Sequence, residues 1–238
     1  MSGKGERKEE RKRERKRERK GERKEERKRE RVVVKLGGSL IKKGKGIVRR
    51  LKNYAEERGD LTIILIPGGG PFAEAVRTLQ KELSISDETA HWLAVLATHQ
   101  YGFFLADGGV VPLVECVDEG GPALRIFLPL KILRADNCLP HSWAVTSDTI
   151  AAFVAKRVGE KAFVKLTDVD GVLDEQGRLL KRVRAEELVG KGCGCVDAEL
   201  PRFLVQNKMS CVLVNGNFPS RIIDALEGRE TVCTKINH

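Results

Sequence analysis

An α/β domain built on a parallel sheet is the fold that this sequence predicts, and three observations predict it. From residue 32 onward, short apolar runs alternate with amphipathic stretches of helical period. Nearly every apolar run closes on glycine or another turn signal. The chain has 238 residues, enough to bury a sizeable core in one large domain.

The elements follow in order. Residues 32–36, Val-Val-Val-Lys-Leu, read as a buried strand that ends at Gly37-Gly38-Ser39. A helix is expected over 46–58, with Ile47, Leu51 and Tyr54 on one face and Gly59-Asp60 closing it. Residues 61–66 form the second strand, which runs into Pro67-Gly68-Gly69-Gly70-Pro71. Phe72, Val76, Leu79 and Leu83 then recur at helical spacing over 72–83. The next helix, 87–105, is apolar on nearly every face and is expected to be buried, with Ala90, Ala94 and Ala97 allowing neighbours to approach closely. Further strands are expected at 110–114, 162–166 and 211–214, and further helices at 147–158, 199–206 and 220–226. The segment 117–138, rich in Gly and Pro with a short apolar centre, reads as a flap.

Charge divides the chain into two parts. Residues 1–31 hold 17 Lys and Arg against 9 Asp and Glu, so a net +8 of the whole chain's +10 sits there. Apart from Met1 this stretch has no aliphatic or aromatic side chain, and its string at 5–15 recurs at 21–31. With nothing to bury it reads as a disordered or solvated tail, with at most a transient helix held by Glu–Lys and Glu–Arg pairs. Its interleaved glutamates offset phosphate binding and argue against a nucleic-acid partner. Residues 32–238 are expected to form the single folded domain.

No run of about 18 apolar residues is present, and the start lacks the apolar core of a secretory signal, so membrane partners are not expected and the location expected is cytoplasmic. Six cysteines are scattered, with one close pair in Gly192-Cys193-Gly194-Cys195. That pair has no second pair to complete a metal knuckle, so no metal site is expected and small reduced cysteines are the better reading.

Two strand–glycine–helix junctions fall early in the folded part. In a parallel sheet both open on the carboxyl edge of the strands, where ligands bind. Gly37 and Gly38 let backbone N–H groups approach phosphate oxygens, and Gly68, Gly69 and Gly70 supply a facing loop. Lys35 sits inside an apolar strand, where an ammonium is costly to bury without an anionic partner. It is either a strand-end lysine reaching water or a contact to a phosphoryl group.

Four strings, in order, resemble the motifs of the amino acid kinase superfamily: Val33-Val34-Lys35-Leu36-Gly37-Gly38-Ser39, Ile66-Pro67-Gly68-Gly69-Gly70-Pro71, Thr146-Ser147-Asp148-Thr149 and Lys165-Leu166-Thr167-Asp168-Val169-Asp170-Gly171-Val172. The resemblance implies a three-layer αβα sandwich around a mainly parallel sheet, ATP as donor, Mg²⁺ held largely by the ATP phosphates, a small-molecule acceptor and a homo-oligomer. It implies that Lys35 stabilises charge on the phosphoryl group in flight and that Asp148 orients the lysines. Gly37, Gly38, Ser39, Lys165, Thr167, Asp168, Asp170 and Gly171 would bind ATP, and Gly68, Gly69 and Gly70 the acceptor. Arg77, two turns into the helix after the second loop, reads either as a contact to an acceptor phosphate or carboxylate or as an exposed surface arginine, and Trp143 as the wall of a flat acceptor ring or as core packing.

One departure matters. Many superfamily members carry a second lysine in a late Gly-Gly-Met-x-x-Lys segment, where this chain has Gly194-Cys195-Val196-Asp197-Ala198-Glu199. Glu199 stands at the lysine position, Arg202 and Lys208 are nearby substitutes, and a non-catalytic nucleotide-binding protein is the competing reading. On the acceptor side, Leu139-Pro140-His141-Ser142-Trp143 before the Thr-Ser-Asp motif, with Gly70-Pro71-Phe72-Ala73 and Ala90-His91, resembles the subfamily of [5-(aminomethyl)furan-3-yl]methyl phosphate kinases of methanofuran biosynthesis. That resemblance implies a phosphomonoester acceptor converted to its diphosphate, with Glu74 or Asp87 as the acid for the aminomethyl group. A nucleoside monophosphate is the alternative acceptor.

Overall fold

The computed structural model describes residues 30–109, 111–116 and 121–238. The expected charged tail at 1–31 therefore lies outside the described residues except for its last two. From Arg31 onward the chain forms one compact unit.

Eight strands make one sheet: β1 Glu30–Leu36, β2 Leu61–Pro67, β3 Leu113–Val114, β4 Leu124–Phe127, β5 Ala162–Thr167, β6 Arg182–Arg184, β7 Ser210–Asn215 and β8 Cys233–Asn237. Their spatial order is β3-β4-β2-β1-β5-β7-β8-β6. β1 with β5, β2 with β4, β3 with β4, β5 with β7 and β6 with β8 pair in parallel, and β7 pairs antiparallel with β8. Among the described residues eight α-helices accompany them: α1 Ile41–Arg58, α2 Gly70–Leu83, α3 Asp87–Ala106, α4 Leu130–Asp136, α5 Ser147–Arg157, α6 Ala185–Leu188, α7 Leu200–Asn207 and α8 Pro219–Leu226. The result is the expected αβα sandwich.

Period-two alternation along the central strands sorts side chains between the two helical layers. Val34, Leu36, Val164 and Leu166 pack with Ile47, Val48 and Leu51 of α1 and with Ile222 of α8. Val33 and Phe163 face the other way, against Ile150, Ala151 and Val154 of α5 and Leu200 and Leu204 of α7. By the same alternation Lys35 and Lys165 belong to the α5 side.

After β1 the chain turns toward β2, and after β5 it crosses to the opposite side, to β6 at the far edge and then back to β7 beside β5. Adjacent strands β1 and β5 thus form a topological switch point, with a crevice at their carboxyl ends.

Three expectations need correction. Residues 121–138 are not a flap: β4 is buried between β2 and β3, and α4 follows it directly. Four apolar-rich residues suffice for a strand when both neighbours pair with it. Helix α3 is not buried all round, because Leu96, Phe103 and Phe104 are exposed. The strand expected at 110–114 shortens to Leu113–Val114, with residue 110 outside the described residues.

Candidate active site

A cavity of about 800 Å³ opens at the carboxyl ends of β1 and β5, a size within the ordinary range for small-molecule sites. At its floor lie Lys35, Lys165 and Asp148. Lys35 and Lys165 are register partners on the paired strands β1 and β5. Asp148 comes from the first turn of α5, where the helix dipole favours a carboxylate. Lys35 Nζ lies 2.7 Å from Asp148 Oδ1, and Lys165 Nζ contacts Asp148 Oδ2. All three residues are buried.

One carboxylate therefore serves two ammonium groups. Burial alone would raise the Asp148 pKa, but Lys35 and Lys165 outweigh it and hold the carboxyl at about 2. Burial, aided by repulsion from Lys165, lowers the Lys35 pKa below its ordinary 10.5 despite the pull of Asp148. For Lys165 burial is the largest single influence and lowers the pKa, but the charge and hydrogen bond of Asp148 with smaller contributions from its other neighbours together outweigh it and raise the pKa.

The segment behind Asp148 is tied down by Asp197. Its Oδ2 accepts from the Thr146 N–H at 2.8 Å, the Thr146 hydroxyl at 2.9 Å and the Thr149 N–H at 2.9 Å, while Oδ1 accepts from the Thr149 hydroxyl and the Leu200 N–H. The Asp197 N–H in turn donates to Asp148 Oδ2 at 3.1 Å. Burial, followed by repulsion from Asp148, raises the Asp197 pKa. Just before it, the Cys195 carbonyl accepts from Lys165 Nζ at 2.5 Å, and Cys193 and Cys195 line the cavity with sulfurs 3.8 Å apart.

The two glycine loops meet above this floor. A Cβ on Gly38 would lie 2.3 Å from the Gly70 backbone, so neither loop admits a side chain at their contact. The loops divide their labour differently from the sequence expectation. The Gly37 N–H donates to the Leu166 carbonyl at 2.8 Å and the Gly68 N–H to the Leu36 carbonyl at 2.9 Å, so both are spent on holding the strands together. The N–H groups of Gly38 and Ser39 open a 3₁₀ turn, Gly38–Leu40, a position without intrahelical acceptors. Those two fit an approaching phosphate better.

One wall of the cavity comes from α2 and the segment before α5. Arg77 lies with its guanidinium carbon 4.3 Å from the Trp143 ring centre, the Trp143 indole N–H donates to Gln80, and Glu74 pairs with Arg77 at 3.3 Å. Arg77 and Glu74 side chains are 41% and 66% exposed, in contrast to the buried floor. The opposite end is formed by Thr167, Asp168, Val169, Gly171 and Leu173. Any Cβ on Gly171 would meet the Thr234 hydroxyl at 2.1 Å, so the backbone there runs against β8.

The model of the amino acid kinase family matches this chain over residues 30–118 and 96–215. The chain belongs to the amino acid kinase family. A [5-(aminomethyl)furan-3-yl]methyl phosphate kinase of Methanocaldococcus jannaschii is 37% identical over 211 residues, covering 86% of this chain and 96% of that protein. A uridylate kinase of Thermococcus kodakarensis is 23% identical over 221 residues, covering 84% and 97%. Among solved structures, uridylate kinase from Archaeoglobus fulgidus superposes with a TM-score of 0.65 at 19% identity, covering 86% of this chain and 99% of that one, which shows the shared fold. As a member of this family the chain is a kinase.

Thirteen of the fifteen sequence-predicted site residues line the amino acid kinase cavity: Lys35, Gly37, Gly38, Ser39, Gly69, Gly70, Arg77, Trp143, Asp148, Lys165, Thr167, Asp168 and Gly171. Gly68 and Asp170 do not. Gly68 is spent on strand contact, and Asp170 accepts from Asn215 at 2.9 Å and pairs with Arg221 at 2.8 Å outside the wall. Of the two acids weighed for an aminomethyl group, Glu74 lines the cavity, whereas Asp87 accepts from Gln80 at the surface. His91 is buried, stacks on His141 at 4.5 Å between ring centres and also lines the cavity. Burial, with His141 beside it, lowers its pKa to about 4.

Asp197 escaped the sequence reading altogether. Its only signal was position, two residues before the family's late lysine, and nothing in an Asp after Val196 announces five accepted hydrogen bonds.

Proposed function

We propose that this amino acid kinase transfers the γ-phosphoryl group of ATP to the phosphate of a small phosphomonoester, [5-(aminomethyl)furan-3-yl]methyl phosphate, releasing ADP and the diphosphate ester. One observation carries the choice of a phosphate acceptor. The carboxylate at the cavity floor is clamped between two ammonium groups with its pKa at about 2. Such a group does not take a proton at neutral pH. An alcohol or amine acceptor requires proton removal, whereas a phosphomonoester, with a second pKa of about 6, arrives already ionised. Its oxygen attacks the γ-phosphorus, the bond to the β-bridging oxygen breaks, and ADP carries the electron pair away. Catalysis is then positioning and charge stabilisation, with Lys35 on the transferring group and Asp148 fixing the lysine.

Gly38 and Ser39 N–H groups, Thr167, Asp168 and Gly171 would receive the nucleotide. Among the described residues no group of three or more His, Cys, Asp or Glu forms a metal cage. Mg²⁺ bound mainly to phosphates and water suits such a site. Trp143 offers a flat face to the furan ring, Arg77 a cation to its phosphate and Glu74 an anion to its aminomethyl group. The 37% identity to the furan phosphate kinase over most of both chains supports this acceptor. No described helix is long and apolar enough to cross a membrane, and the reaction is proposed to take place in the cytoplasm.

Uridylate is the second reading, supported by the more distant uridylate kinase relatives. ADP release with Mg²⁺ and ATP separates the two. The furan phosphate is expected to exceed uridylate in kcat/KM by about 10⁴-fold, the scale for a site whose polar groups the wrong acceptor leaves unpaired. Preference for uridylate would discard the furan acceptor and keep the kinase.

A further inference from the structure

Glu199, at the position of the family's late lysine, is turned away from the chemistry. It precedes α7, its N–H donates to the Ala144 carbonyl at 3.0 Å, and its carboxylate accepts from Arg202 at 3.1 Å. Arg202 and Lys208 are exposed, and neither lines the cavity. The only lysines in the cavity wall, among the described residues, are Lys35 and Lys165.

Charge at the floor decides what Lys165 does there. Lys35 with Asp148 alone is a neutral pair, which offers little to a phosphoryl group gathering negative charge. Asp197, the next acid, has its carboxylate occupied by five donors from Thr146, Thr149 and Leu200. Adding Lys165 makes the buried trio net positive, facing a cavity whose other wall is the glycine cradle. Its placement is built in: register pairing sets both lysines at the same level, alternation aims both at α5, and the Cys195 carbonyl and Asp148 hold the Lys165 ammonium from two sides. An ammonium carries three donors, so one remains for a ligand.

We infer that Lys165, from β5, is a catalytic residue that supplies the second positive charge on the transferring phosphoryl group. The inference rests on the kinase reading above but not on the identity of the acceptor. Lys165 is more than a nucleotide-pocket residue, the role implied by its motif, and the chain needs no lysine at 199 to be active.

Nucleotide affinity tests this without any acceptor. With Mg²⁺ present, calorimetric titration compares ADP with the non-hydrolysable AMP-PNP in wild type and Lys165→Met. The variant is expected to bind AMP-PNP about tenfold more weakly while ADP affinity stays within about threefold, since the lost charge faces the γ-phosphoryl position. Equal weakening of both nucleotides would place Lys165 at the α- and β-phosphates, and no weakening of either would leave it a structural clamp on Asp148. Either result overturns the inference. Lys165→Gln, whose amide still donates to Asp148, replaces the methionine variant should that fail to fold. Selective loss of AMP-PNP affinity in the variant, with a wild type that phosphorylates neither acceptor, would sink the proposed reaction and leave Lys165 in place.

Discussion

The floor and the acceptor wall of the same cavity are built on opposite plans. Lys35, Lys165 and Asp148 sit on paired strands and a buried helix start, where both ammonium groups pair with the one carboxylate. Glu74 and Arg77 stand on α2 at the surface, mostly held by each other and by the Trp143 ring. Phosphoryl transfer needs charges fixed in advance, since reorganising them during the reaction would raise the barrier. Acceptor choice needs only a few exposed side chains that one family can vary on a constant scaffold.

Asp148→Asn should break the floor most severely. It leaves two ammonium groups buried side by side without a counter-charge, a loss of about 3–5 kcal/mol for a buried ion pair. A large fall in melting temperature, together with loss of ADP release, is the expected outcome. An unchanged melting temperature would mean that the lysines are not held by this carboxylate. By comparison, a substitution at the exposed Glu74–Arg77 pair should cost at most about 1 kcal/mol of stability.

A smaller effect separates the two regions by pH. In the proposed reaction Lys35 acts as a cation, and its folded-state pKa lies below 10.5. Since protonation is lost as pH rises through that lowered value, kcat should decline on an alkaline limb centred below pH 10.5. His91, lowered to about 4, stays neutral from pH 6 to 8 and contributes no step there. A pH–rate profile with no alkaline limb until pH 10.5 or above would contradict the burial of a working ammonium at Lys35.

The floor was largely legible in the sequence, and the wall around it less so. Lys35 stood out because an apolar strand should not contain an ammonium. The matching signal for Lys165 was also printed in the chain: Val34-Lys35-Leu36 recurs as Val164-Lys165-Leu166. Reading it required knowing that β1 and β5 lie side by side, which no local pattern states. Strand β4, Leu-Arg-Ile-Phe, was hidden because it is short and lies in a stretch rich in glycine and proline, so only sheet pairing reveals it. Strands of mixed polarity such as β8, Cys-Thr-Lys-Ile-Asn, which pairs with both β7 and β6, escape hydropathy for the same reason. Asp197 acts through Thr146 and Thr149, 51 and 48 residues away, and that distance is crossed only in three dimensions.

The division between floor and wall is tested most directly by steady-state kinetics of Lys35→Ala beside Arg77→Ala, with the acceptor varied at saturating ATP. Lys35→Ala should lower kcat by about 100-fold or more with the acceptor KM within about threefold, as for loss of one charge donor to a transition state. Arg77→Ala should raise the acceptor KM by about tenfold with kcat nearly unchanged. The reverse pattern, with kcat lost at Arg77 and KM alone at Lys35, would place the chemistry on the wall and contradict the account.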